Sequence, residues 1–259
     1  MPDPEIIYED KDFVAVNKPA GLLVHQANLK LKAENLELHE ATLVDWLLKK
    51  YPEIKNVGDD PITRPGIVHR LDRETSGVMV IAKHQKYFEY LKSLFKRRQI
   101  KKKYIALVWG KVTPEEGVIE KPIGIKDGTV KRSVYSQKMA KEAITKYRVM
   151  RYFAGQGSGV RGQEKEIFSL VEVEPLTGRT HQIRVHMASI GHPVLGDKVY
   201  GSKTSKRVKC GFDRFTASRL MLHALSLEFV NEDGRRIKLE AELPEDYNNF
   251  LVSLSPAAQ

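Results

Sequence analysis

The chain has 259 residues, 41% of them hydrophobic, which is enough for a real core in one large domain or two small ones. It carries 43 Lys and Arg against 33 Asp and Glu, and this net charge of +10 points to a polyanionic partner such as nucleic acid. No apolar run approaches the roughly 18 residues of a membrane span, the N-terminus lacks a signal-peptide pattern, and Cys210 alone permits neither an intramolecular disulfide nor a cysteine-based zinc site, so a cytoplasmic protein without a membrane partner is expected.

Residues 6–8 and 13–17 are β-prone runs around the charged turn Glu9-Asp10-Lys11-Asp12, which predicts an opening hairpin. Residues 27–40 are polar with irregular leucines and read as a loop. Thr42 followed by Asp45 is a capping box for an amphipathic helix that presents Leu43, Trp46, Leu47 and Tyr51 and ends at Pro52.

Residues 69–83, HRLDRETSGVMVIAK, are the stretch around which the rest is organised: turn formers Thr75-Ser76-Gly77 run into the apolar strand 78–82. Asp72 therefore sits on a loop braced by a strand, between Arg70 and Arg73, in surroundings suited to a carboxylate nucleophile or base. The competing reading is a turn aspartate that caps its own backbone.

A helix is expected over 85–95. Six of the eight residues from 96 to 103 are basic and lead into a strand over 104–109, a placement that favours phosphate contacts over plain solvation. Hairpins with a turn at Asp127-Gly128 fill 118–153, and a further strand covers 167–173. Gly157, Gly159 and Gly162 match GxGxxG, but no helix follows, so a hairpin tip is the better reading than a dinucleotide site.

In residues 175–200, PLTGRTHQIRVHMASIGHPVLGDKVY, Thr180 is read as the cap of a helix whose buried face carries Ile183, Met187 and Ile190, with Gly191 as its stop. Arg184 lies on the flank of that face, where it needs a carboxylate; Asp72 is the partner expected. His181 and Arg184 are i, i+3 neighbours, and His186 is placed on another face, so a histidine metal site is not expected. Residues 202–219 form a basic loop with two phenylalanines, and 220–230 with 236–241 close the chain as an antiparallel pair. With no repeat and no linker, a single domain over 1–259 is expected.

Three separated stretches, NKPAGLLVH (17–25), HRLDRETSGVMVIAK (69–83) and LTGRTHQIRVHMASIGHPVLGD (176–197), resemble the signature blocks of RluA-type RNA pseudouridine synthases, which act on large-subunit ribosomal RNA and some transfer RNAs. KKYIALVWG (102–110) and LMLHALSLEF (220–229) resemble two further blocks, in the right order. The resemblance implies an α+β fold: a mixed, mostly antiparallel central sheet with flanking helices and loops around a basic cleft. It implies a catalytic domain without the N-terminal RNA-binding (S4) module that ribosomal members usually carry.

It also implies isomerisation of uridine to pseudouridine in a ribosomal or transfer RNA stem-loop by a monomer that uses neither cofactor nor metal. Carried over residue by residue, Asp72 is the catalytic carboxylate, and Tyr104 stacks on the uracil as the candidate for proton removal from C5. Arg184 pairs with the aspartate, Arg70 enters the RNA stack as the base leaves, and Leu222 packs near the tyrosine. His69, Arg179 and His181 are further substrate contacts. A base cannot be detached and reattached inside a stack, so the nucleotide must be flipped out, and the carboxylate then attacks C1′ or assists departure of the base. Two other classes compete: a catalytically silent RNA-binding protein of the same fold, and a metal-dependent nuclease using Asp72 with Glu74.

Overall fold

The first hairpin in the computed structural model forms where the sequence alternates around Asp10. Asp10 Oδ1 accepts from the amides of Asp12 (2.8 Å) and Phe13 (2.9 Å), turning β1 (Glu5–Glu9) back into β2 (Phe13–Lys18). The structure describes residues 2–26, 40–126, 128–129, 131–155, 166–201 and 217–257. All but residue 40 of the loop expected over 27–40, the GxGxxG match at 157–162, Asp127 and most of the basic loop at 202–219 lie outside the described residues.

Packing groups the chain into two units, Met1–Lys101 with Ala224–Glu242 and Lys102–His223 with Leu243–Gln259. Two of the crossings fall inside strands, β4 (Lys101–Trp109) and β10 (Leu222–Val230).

In the first unit β2 pairs antiparallel with the fully buried β3 (Ser76–Ala82), Phe13 opposite Ala82 and Lys18 opposite Gly77. The order continues from β3 to β10, and β11 (Arg236–Glu240) pairs with β10. Phe13 is fully buried between the rings of Tyr8 and Tyr87, 5.0 and 5.3 Å away. Tyr87 belongs to α2 (Gln85–Lys96), whose Tyr87, Phe88, Leu91 and Leu94 face inward at helical spacing. The capping box of α1 (Leu43–Lys50) is present in full. Its buried residues are Leu43, Val44 and Leu47, with Trp46 only half-buried, and Pro52 opens a 3-10 turn over Pro52–Asn56.

In the second unit β4 pairs with β9 (Ile167–Pro175), and β9 with β8 (Ile144–Ala154), all antiparallel. β5 (Glu116–Glu120) and the short β12 (Ser255–Pro256) pair with separate parts of β8. β6 (Gly124–Ile125) and β7 (Arg132–Ser133) form a separate ribbon. α3 (Gln182–Ser189) and α4 (Glu245–Ser253) complete it, the latter and β12 not anticipated from sequence. The fold is α+β with mostly antiparallel strands, and the sequence places β4 three residues too late, because Lys101–Lys103 belong to the strand.

Two expectations for α3 need correction. Its N-cap is His181, in the left-handed region at φ 57°, and not Thr180. Nor does it bury one apolar face: Gln182 through Met187 are all buried, including Gln182, Arg184 and His186. Among the described residues no helix is long and apolar enough to cross a membrane.

Candidate active site

Residues 66–76 in the first unit are held at several points. Ile67 forms an isolated bridge with Ile81, and the imidazole of His69 accepts from the Val80 amide at 3.0 Å while stacking on Phe95 at 4.7 Å. His69, expected among the substrate contacts, thus anchors the loop to β3. Leu71 and Thr75 are buried, Asp72 is half-buried between them, and the Asp72 carbonyl accepts from Thr75 N at 3.1 Å to close a turn. Gly77 follows at φ 116°, and a Cβ there would meet the Ala224 carbonyl oxygen at 2.2 Å, so only glycine permits this approach of β3 to β10.

A second clamp comes from the NKPAG segment. Lys18 is fully buried, and its ammonium donates to the carbonyls of Pro19 (2.8 Å), Leu22 (2.9 Å) and Arg73 (3.0 Å). Burying an ammonium is tolerable only with such partners. Gly21 N also donates to the Arg73 carbonyl at 2.9 Å, while Arg73 Nε donates to Gly21 O and its guanidinium pairs with Glu40. The residue after Asp72 is therefore fixed through its backbone and its side chain. Arg70 is exposed, with Nη1 3.4 Å from His25 Nε2.

The remaining expected site residues lie in the second unit. Tyr104 is half-buried on β4 opposite Val173, next to Lys103, whose ammonium is 2.9 Å from Glu172. Leu222, the first residue of β10, is buried. Arg179 donates through Nε to Glu142 O at 2.9 Å.

Arg184 is buried and meets a carboxylate that sequence reasoning did not name. Its Nε donates to Asp197 Oδ2 at 2.8 Å and its Nη2 to Asp197 Oδ1 at 2.9 Å. Asp197 has a fully buried side chain and also accepts from Val199 N (2.8 Å) and Tyr200 N (2.9 Å). Burial by itself would raise its carboxyl pKa, but the Arg184 guanidinium and the two amides outweigh it and hold the group below the usual carboxylate range. Tyr200 connects Arg184 with the α3 N-cap: its ring lies 5.2 Å from the Arg184 guanidinium, and its hydroxyl is 2.8 Å from His181 Nδ1.

His186, also on α3, is fully buried. Its Nε2 lies 2.9 Å from the Lys121 carbonyl, which can only accept, so Nε2 carries the proton; Nδ1 then accepts from the Thr145 hydroxyl at 2.9 Å. Burial lowers its pKa. Gln182 extends the network, donating to Ile144 O and Thr145 Oγ1 and accepting from Thr177 Oγ1 and Arg179 N. These bonds set α3 against β8. Among the described residues no group of three or more His, Cys, Asp or Glu is placed to hold a metal ion.

A family model described as RNA pseudouridylate synthase matches residues 12–189, which include every expected site residue except Leu222. An uncharacterized RNA pseudouridine synthase of Aquifex aeolicus is 42% identical over 245 residues, covering 94% of this chain and 71% of that protein. The ribosomal large subunit pseudouridine synthase D of Pseudomonas aeruginosa is 37% identical over 262 residues, covering 96% and 71%. The solved structure of human RNA pseudouridylate synthase domain containing 1 superposes with a TM-score of 0.72 at 25% identity, over 98% of this chain and 89% of that one.

Proposed function

Because the chain belongs to the RNA pseudouridylate synthase family, we propose that Asp72 is the carboxylate with which it isomerises uridine, and that its substrate is a stem-loop of large-subunit ribosomal RNA. In the reaction the N1–C1′ bond breaks, a C5–C1′ bond forms, the C5 proton leaves and N1 gains one, so the atoms balance without an added group. The observation that carries the assignment is the turn at Asp72, closed by Thr75 N and fixed at Arg73 O by Gly21 N and the Lys18 ammonium. A half-buried carboxylate on a backbone fixed in this way suits displacement at an anomeric carbon.

The other residues take complementary roles. Tyr104 removes the proton from C5, and Leu222 packs beside it. Arg184, which Asp197 orients, is the countercharge for the Asp72 carboxylate. Arg70 fills the space the flipped nucleotide leaves, since a guanidinium plane stacks on bases and pairs with phosphate. Arg179 and His181 contact the substrate, as do the exposed Lys96, Arg97, Arg98 and Lys101 through its phosphates. Residues 1–259 act together as one catalytic domain, a cytoplasmic monomer. Relatives at this level of identity carry the name ribosomal large subunit pseudouridine synthase D, which favours ribosomal RNA over transfer RNA.

Tritium release from RNA labelled at uridine C5 tests the chemistry. Asp72→Asn is expected to abolish release while RNA affinity changes little, because the phosphate contacts remain. Release within a few-fold of wild type would remove Asp72 from the reaction. Carbodiimide mapping of total RNA with and without the protein tests the substrate: sites lost from large-subunit ribosomal RNA support it, and sites lost only from transfer RNA overturn it.

A further inference from the structure

The residues before His25 are tied to the start of α1, where Leu43 N donates to Leu23 O at 2.8 Å and Val44 N to Val24 O at 3.1 Å. Val24 is buried, and His25 follows it half-buried, from a backbone that cannot easily shift. Its Nε2 lies 3.4 Å from Nη1 of the exposed Arg70. A guanidinium only donates, so Nε2 must be the acceptor and the imidazole proton must sit on Nδ1. Nδ1 is buried and has no hydrogen-bond partner among the described residues. Among the described residues the ring thus leaves that donor unsatisfied while Nε2 presents its lone pair to Arg70.

We propose that His25 is a positioning residue that seats the Arg70 guanidinium before RNA binds, so that the arginine enters the stack from one fixed starting geometry; this rests on the stacking role given to Arg70 above. A neutral imidazole suits the task. Protonation would set two cations 3.4 Å apart. Burial lowers the imidazole pKa, and so do Arg70 and then Arg64, while Asp60 opposes them. A contact this long, made by an exposed side chain, is readily surrendered to a base plane or a phosphate.

The test uses the full chain and in-vitro transcribed large-subunit ribosomal RNA labelled with tritium at uridine C5, under single-turnover conditions. His25→Ala is expected to slow the chemical step about tenfold with RNA affinity nearly unchanged, and to add nothing in an Arg70→Ala background. His25→Gln, whose side-chain carbonyl can accept the same N–H, should restore most of the rate. The wild-type rate should fall as pH drops through the folded His25 value, which lies below the ordinary histidine value of about 6.5, and the Gln variant should lack that acid limb.

A wild-type rate in His25→Ala, or effects of the two alanine variants that multiply, would overturn the seat. If Arg70→Ala itself reacts at the wild-type rate, the stacking role fails first and the seat falls with it. Should His25→Ala fail to fold, the rate of His25→Gln and the wild-type acid limb still decide.

Discussion

Arg184 and Asp197 face each other through two parallel hydrogen bonds of 2.8 and 2.9 Å, both side chains buried. The pair has no slack, since Asp197 spends its remaining acceptor capacity on Val199 N and Tyr200 N. Removing one partner strands the other charge, so Asp197→Ala should cost about 3 to 5 kcal/mol. Arg184→Lys should cost a smaller part of that amount, because an ammonium keeps the charge but cannot make the two-point contact. Chemical denaturation of the purified variants measures both.

The same pair predicts the response to acid. Folding lowers the Asp197 pKa, so its stabilising contribution is complete above the unfolded value of about 3.9 and disappears as pH falls through the lower folded value. The difference in melting temperature between wild type and Asp197→Asn should therefore shrink below about pH 4. A constant difference down to pH 2 would mean that the carboxylate is not the group concerned.

His186 acts at a milder pH. Burial lowers its pKa, so the unfolded chain takes up a proton that the folded chain refuses. Stability should begin to fall as pH drops below about 6.5, with a slope of up to about 1.4 kcal/mol per pH unit, and level off once the folded value is passed. Melting curves from pH 8 to 5 should show a shallower slope in His186→Gln than in wild type, with the remainder coming from His25, whose pKa folding also lowers.

Lys18→Met keeps most of the side-chain volume and deletes the ammonium, leaving the carbonyls of Pro19, Leu22 and Arg73 without that donor. At about 1 to 3 kcal/mol for each buried group left unsatisfied, several kcal/mol should be lost. Because one of these carbonyls follows Asp72 directly, kcat should also fall at temperatures where the variant remains folded. Unchanged kcat in a folded variant would separate the clamp from catalysis.

Gly77→Ala should prevent folding, since the new methyl would overlap the Ala224 carbonyl at 2.2 Å on a backbone at φ 116°. Gly128→Ala is the control. Its φ is also positive, at 67°, but among the described residues nothing lies within 4 Å, so only about 1 kcal/mol of backbone strain is expected. Soluble yield and melting temperature distinguish the two.

What could be read from the sequence was local. The Thr42–Asp45 box spans three residues and is complete in the structure, and the apolar run after Gly77 is the buried β3. At the α3 terminus Thr180 has the right chemistry for a cap, yet the helix starts after His181, where the Gln182 side-chain amide bonds to Thr177, Arg179, Ile144 and Thr145. Such a network is invisible to helical periodicity, as is the burial of α3 on every side. α4 gives a weak signal because Tyr247 is its one buried residue and no side chain caps it. Asp197 gives no local signal because it meets Arg184 from 13 residues away, beyond the turn at Gly191. Lys18 gives no signal of its own, since nothing in NKPAG announces a lysine whose ammonium is enclosed by carbonyls.

That enclosure has a practical use. An amine-reactive ester modifies only a lysine it can reach in its deprotonated form, so exposed Lys86 and Lys96 will label quickly while Lys18 stays silent. Its ammonium is released only when the contact to Arg73 O breaks, which is when the segment bearing Asp72 comes loose. Reagent uptake at this single position, followed by mass spectrometry, is thus a clock for the opening of that segment.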